Sequence, residues 1–285
     1  WLKKACNRRR TKFGHCSHQA FTSTATMKCS GLCSVVCAVV SIAVLAQEAC
    51  NPVAEVRAVP KFEGVHAEDG IRVNVSVSPG TNASSLLVHA NSDFLPEVKS
   101  GVEGSTLMLK LAEGKKSSCV MAEVVVPAPL LYATAAGGAR MTLDSVAGSL
   151  AALMGGGIHV GTLASQEPVS IIADARAGVR VVDGKVGSMI VSVSSGSGAD
   201  LGNVKAGRAS VSAFNKSAVY NLTVGRALIS ASGESLVDVT VTEAAVLMCS
   251  QSRVKIQGAA NVMQHASSMC HVEHNDTQIS STILP

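Results

Sequence analysis

Met189 to Val204 reads MIVSVSSGSGADLGNV. Its first half alternates an apolar residue with a small polar one, its middle is a glycine and serine turn, and its end opens a second short run. Such alternation marks a strand with one buried face. The same design returns in Ala209 to Val224 and in Ala227 to Val241, and further segments begin near residues 130, 150, 169 and 245. From Leu130 onward the chain therefore repeats in steps of 18 to 20 residues. A unit that short cannot enclose a core alone and must stack on its neighbours. Val191, Val193, Val211, Val239 and Val241 are then expected to point inward, and Ser192, Ser194, Ser210, Ser212, Asp238 and Thr240 outward. No 3.6-residue apolar period appears, which argues against a leucine-rich horseshoe and for an all-β solenoid. At about 4.8 Å per layer, seven coils would make a rod of about 34 Å.

Upstream, Ile71 to Ser78 (IRVNVSVS) alternates strictly and Pro79-Gly80 turns the chain. Leu107, Leu109 and Leu111 repeat the alternation, and Ala122 to Val126 is a continuous apolar run closed by Pro127. These read as hairpins of a sheet whose buried face continues into the repeats. The expected organisation is a leader over 1–26, a signal peptide over 27–46 and a linker over 47–57. An N-terminal β region over 58–129, solenoid repeats over 130–262 and a tail over 263–285 follow.

The export signal rests on Leu32 to Ala46, an uncharged apolar run that follows Lys28 and ends Val44-Leu45-Ala46, with small residues where a signal peptidase reads. About 15 apolar residues fall short of the roughly 20 that a bilayer core needs, so cleavage is favoured over a signal anchor and no stable membrane insertion is expected afterwards. Met27 precedes Lys28, and residues 1–26 read as an extension upstream of the true start. The formal charge of +4 depends on this leader. Residues 1–46 hold seven of the 24 basic residues and none of the 20 acids, leaving 17 against 20, or −3, from Gln47 onward. Without a dense basic patch, nucleic acid is not an expected partner.

Four of the nine cysteines, Cys50, Cys119, Cys249 and Cys270, follow the cut, an even number compatible with two disulfides in an exported chain. Cys249 and Cys270 are 21 residues apart, about one coil, and are predicted to bridge adjacent layers; the pairing of Cys50 and Cys119 is left open. Five N-glycosylation sequons occur, at Asn74, Asn82, Asn215, Asn221 and Asn275.

The opening Phe62-Glu63-Gly64-Val65, the stretch Asp69-Gly70-Ile71-Arg72-Val73-Asn74-Val75 and the glycine turns Gly137-Gly138-Ala139, Gly155-Gly156-Gly157 and Gly196-Ser197-Gly198-Ala199-Asp200-Leu201 resemble the putative auto-transporter adhesin, head GIN domain family. The resemblance covers about residues 55 to 262. It implies a right-handed parallel β-helix-like fold with an N-terminal sheet region, and it carries over no catalytic residues. The chain departs from the family where Gly155-Gly156-Gly157-Ile158-His159 replaces an acidic turn, and in its four cysteines after the cut.

Few residues offer chemistry. No Gly-x-Ser-x-Gly elbow occurs, and Gly114-Lys115-Lys116 lacks the earlier glycine and the hydroxyl residue of a phosphate loop. Asp174, Arg176, Arg180 and Asp183 fall within one coil and are the best candidates for acid/base work on a polysaccharide, but acids beside glycine turns are ordinarily solvated turn residues. His265, Cys270, His271 and His274 form a local His/Cys cluster with ligand types zinc could use, at a spacing that fits no compact structural site. The expectation is a secreted or surface module that is not an enzyme, with no catalytic, cofactor or metal residues, binding an extracellular protein or polysaccharide. The alternative is a carbohydrate-binding or carbohydrate-cleaving β-helix protein. Neither the ligand nor the oligomeric state is legible.

Overall fold

The computed structural model describes residues 50–81, 83–115, 119–258, 261–267, 269–275 and 279–281. The expected leader, signal peptide and Asn82 lie outside the described residues. Among the described residues there is no α-helix, hence none long and apolar enough to cross a membrane.

Strands hydrogen-bond into two walls. Wall A is built from β3 (Arg72–Val77), the first half of β9 (Arg140–Leu153), β10 (Gly157–Ser165), the first half of β12 (Gly178–Val193) and β13 (Gly198–Asp200). It continues through the starts of β14 (Asn203–Phe214), β15 (Ala218–Ser232) and β16 (Leu236–Ser250), then β17 (Arg253–Gln257) and β19 (His271–Asn275). Wall B holds β2 (Gly64–Ala67), β8 (Leu130–Ala135), the end of β9, β11 (Val169–Asp174), the ends of β12, β14, β15 and β16, then β18 (Asn261–Ala266) and β20 (Ile279–Ser281). All these neighbours run parallel, about seven turns of solenoid. Register steps such as Val169 to Met189, Ala209 to Ala227 and Ala245 to Val262 give the coil length directly.

The parallel ladder is not confined to residues 130–262. Ile71 to Ser78 does not fold back on the strand after Pro79-Gly80; β3 lies parallel between β9 and β7 (Met121–Val126). Likewise β2 lies between β8 and β6 (Thr106–Leu111). The coil made by β6 and β7 thus sits beneath the coil made by β2 and β3, although it comes later in the chain. Below it the pairing turns antiparallel: β5 (Val98–Glu103) forms a hairpin with β6, while β4 (Ser85–Ala90) joins β7 to β1 (Val53–Arg57). The disulfide Cys50–Cys119, with Cα atoms 5.7 Å apart, ties the entry of β1 to the approach of β7.

The core is the inward half of every alternation. Val191, Val193, Val211, Val239 and Val241 are fully buried, and the serines between them face outward. Burying each such side chain contributes about 1.5–3 kcal/mol, and a one-residue slip would reverse every face, which fixes the register. At the last full coil the inward positions turn polar. Gln264 and His274 stand where earlier coils carry Leu247 and Ile256, and the His274 Nε2 faces Gln264 Oε1 at 3.4 Å. Terminal coils of a stack are expected to depart from the repeat in this way.

Each coil turns twice. From wall B to wall A six of these turns pass through two consecutive residues of positive φ, Gly137/Gly138, Met154/Gly155, Ala175/Arg176, Ser195/Gly196, Asn215/Lys216 and Gly233/Glu234, and the one after β16 through Gln251 alone. Their backbones are held coil to coil, Gly155 N donating to Ala175 O (2.9 Å), Arg176 N to Ser195 O (3.1 Å) and Lys216 N to Gly233 O (2.8 Å). Just after each later turn a serine points inward: Ser197, Ser217, Ser235 and Ser252 are buried, and their hydroxyls accept from Ala177 N or Ser235 N, or donate to Val193 O, Ser232 O or Ser250 O. From wall A back to wall B the strands bend at Gly148, Gly187, Gly207 and Gly225, where φ is ordinary but, except at Gly187, a coil lies close below. Cys249 and Cys270 are joined at the first kind of corner, with Cα atoms 5.7 Å apart on adjacent coils.

Candidate functional site

The outward positions of wall A form lines of in-register residues. One line runs Arg72, Arg140, Gly157, Gly178, Gly198. The next, two residues along each strand, runs Thr142, His159, Arg180, Asp200, Tyr220. Three adjacent glycines remove the side chains that would fill the face. A Cβ at Gly178 would meet nothing within 4 Å, so the floor opens to solvent. The result is a shallow trough of about 490 Å³ lined by Arg140, Thr142, His159, Arg176 and Arg180. Arg176 lines it from the turn corner, where its backbone is left-handed (φ 63°) and its side chain is exposed.

The electrostatics of the trough are one-sided. Among the described residues no carboxylate lies within 4 Å of the Arg140 or Arg176 guanidinium. Arg180 Nε lies 3.7 Å from Asp200 Oδ2, an exposed pair that water screens. The other oxygen of Asp200 accepts from Asn221 Nδ2 (2.8 Å) and from Gly202 N (3.3 Å), which holds that carboxylate one coil beyond Arg180, outside the trough lining.

Of the four residues singled out for acid/base work, Arg176 and Arg180 meet in the trough and the two acids do not join them. Asp174, at the end of wall B, accepts from Ser194 Oγ; this bond, with those from Ser195 and the Ala175 backbone, holds its carboxyl below the usual carboxylate range. It stays ionised and is no proton donor near neutral pH. Asp183 lies past an irregularity at Val182, in line with Thr162 and Asn203. No two carboxylates line the trough, and paired carboxylates are what glycosidic cleavage uses. Of the candidate metal cluster, Cys270 is in a disulfide and burial pushes the His274 imidazole pKa down. Among the described residues no three His, Cys, Asp or Glu side chains are placed to share an ion. Asn74, Asn215 and Asn221 are exposed, and Asn275 ends β19.

Sequence reasoning missed Arg140, Thr142 and His159. Their signal was the spacing from Arg140 to Gly157 and from Gly157 to Gly178, one coil each, which acquires meaning only once the register is known. A second open cavity, of about 900 Å³, lies at the glycine corner, where Lys185 and Lys205 stand in register beside Gly187 and Gly207.

A family model described as "Putative auto-transporter adhesin, head GIN domain" matches residues 61–260. No curated protein matches the sequence. Among solved structures, a putative adhesin from Parabacteroides merdae ATCC 43184 is similar with a TM-score of 0.55 and 12% identity, over 81% of this chain and 95% of that one. A putative adhesin from Bacteroides fragilis NCTC 9343 is similar with a TM-score of 0.54 and 13% identity, over 81% and 97%. A putative lipid binding protein from Parabacteroides distasonis ATCC 8503 has a TM-score of 0.54 and 12% identity, over 82% and 96%. At these identities the likeness is one of fold.

Proposed function

The chain belongs to the putative auto-transporter adhesin, head GIN domain family, and from that premise we propose that it is an exported, non-enzymatic interaction module whose recognition face is the wall A trough. The observation that carries this reading is the in-register pair Gly157 and Gly178, continued on the next coil by Gly198, with Arg140, His159, Arg176 and Arg180 lining the trough around the pair. An open face with charged banks and no paired carboxylates is suited to holding a partner rather than transforming it. Export is supported by the apolar run Leu32 to Ala46 and by two disulfides, which persist in oxidising compartments. The sequons at Asn74, Asn215 and Asn221 sit on exposed positions open to modification.

Two measurements test the reading. Amino-terminal sequencing of the released protein is expected to begin near Gln47; a product retaining Arg8 to Arg10 would count against export. Filling the trough with Gly178→Trp, a position with open space above it and ordinary φ, is expected to abolish adhesion of protein-coated beads to extracellular matrix without shifting the melting curve. Adhesion unchanged by that substitution removes the trough as the recognition face.

A further inference from the structure

Resting on the trough as recognition face, we propose that its ligand is a carboxylate-bearing polysaccharide, a linear polymer of uronic-acid type, with Arg140 and Arg176 as the groups that bind the carboxylates. Both guanidiniums are exposed, and among the described residues neither has a carboxylate partner. A guanidinium presents paired N–H donors in a planar fork that matches a carboxylate, with both oxygens engaged. Here that capacity is unused within the chain.

The placement of the two arginines narrows the ligand further. Arg140 ends the glycine line one coil below Gly157, and Arg176 stands on the turn corner two residues before Gly178, so both line a floor without side chains. From Arg140 through Gly157 to Gly178 is two coil spacings, roughly 10 Å. A flat ring can lie on such a floor with its carboxylate at either bank, while Thr142 and His159 offer hydrogen bonds to hydroxyls. The trough is open along the stack and encloses nothing, which suits a segment of a polymer better than a small free acid. A phosphate polymer is disfavoured. From Gln47 onward the chain carries 17 basic against 20 acidic residues, and the trough offers three arginines where nucleic-acid binding draws on many phosphate contacts and aromatic stacking.

The test uses the full chain in affinity electrophoresis through gels containing polygalacturonate, alginate, dextran sulfate, dextran or poly-uridylate. Retention by polygalacturonate or alginate is expected, weakening as salt rises. The double variant Arg140→Gln/Arg176→Gln is expected to lower it at least tenfold, and Lys185→Gln/Lys205→Gln at the other cavity to leave it unchanged. Circular dichroism melts confirm that each variant is folded. The proposal is overturned by no retention on either polyuronate, by retention that survives the arginine double variant, by loss on the lysine variant instead, or by equal retention on dextran sulfate or poly-uridylate. Retention on dextran that Gly178→Trp abolishes would overturn the acidic ligand and keep the face. Adhesion indifferent to Gly178→Trp removes the face itself, so the two failures are distinguishable.

Discussion

At the turn corner the chain reverses through residues held at positive φ, and side chains as large as Arg176, Lys216 and Glu234 are accepted because they point into solvent. At the glycine corner φ is ordinary and what is missing is space: a Cβ on Gly207 would lie 2.8 Å from Gly187 O, and one on Gly148 1.8 Å from Leu131 O. One corner therefore restricts conformation and leaves volume free; the other restricts volume and leaves conformation free. Function follows the same division. The turn corner delivers an arginine to the trough, and the glycine corner only lets successive coils close upon one another.

The largest expected effect comes from the crowded corner. Gly148→Ala places a methyl group inside a backbone carbonyl where β9 bulges against β8, and we expect a loss of about 3 kcal/mol or more, measured by urea unfolding. A variant as stable as the parent would end the claim that space governs this corner. At the turn corner the Cys249–Cys270 bond closes a 21-residue loop, and Cys249→Ser/Cys270→Ser is expected to cost about 3 kcal/mol, appearing as faster amide exchange in β18 and β19. Ser217→Ala removes the buried hydroxyl that donates to Val193 O (3.0 Å) and is expected to cost about 1 kcal/mol. Glu234→Gly should reverse the sign. It relieves a non-glycine residue at φ 63° and gives up an exposed ion pair with Lys216, for a net gain of roughly 0.5 kcal/mol. A loss there would show that the turn corner also depends on its side chains.

The smallest effect is set by pH. Burial lowers the His274 pKa from 6.5, so on acidification the unfolded chain takes up the proton first. The stabilisation of the last coil is complete above that value and declines as pH falls below it. The protection of β19 amides, referred to the intrinsic exchange rate at each pH, should fall between pH 7.5 and 5.5 in the parent and lose this dependence in His274→Val. The same dependence in the variant would locate the titration elsewhere.

How much of this was legible depends on what each residue reports. Val191 and Val211 announce their burial because alternation at period two has a single explanation once one face is buried. The coil length was legible for the same reason, and with it the Cys249–Cys270 pair. The placement of β6 and β7 beneath β2 and β3 was not, since Leu107, Leu109 and Leu111 alternate identically whichever strand lies alongside. Ser197, Ser217, Ser235 and Ser252 read as turn serines, and only the stack shows them buried as an internal hydrogen-bonding column. Of the site, Arg176 and Arg180 could be found because they share one coil. Arg140 belongs to the same site through register alone, which a linear reading does not contain.

The interleaved start of the stack also sets an order of events during synthesis. Beyond residue 130 most strands find their partner 17 to 21 residues back, already made. The coil of β2 and β3 is the reverse case: Gly64 waits for Thr106, 42 residues on, and then for Tyr132, 68 residues on. Closing those longer loops costs more chain entropy and slows the step. The portion of the domain that emerges first thus waits longest, counted in residues, for both its edges to be covered, and until then the apolar faces of Val65, Val73 and Val75 are open to any strand that reaches them.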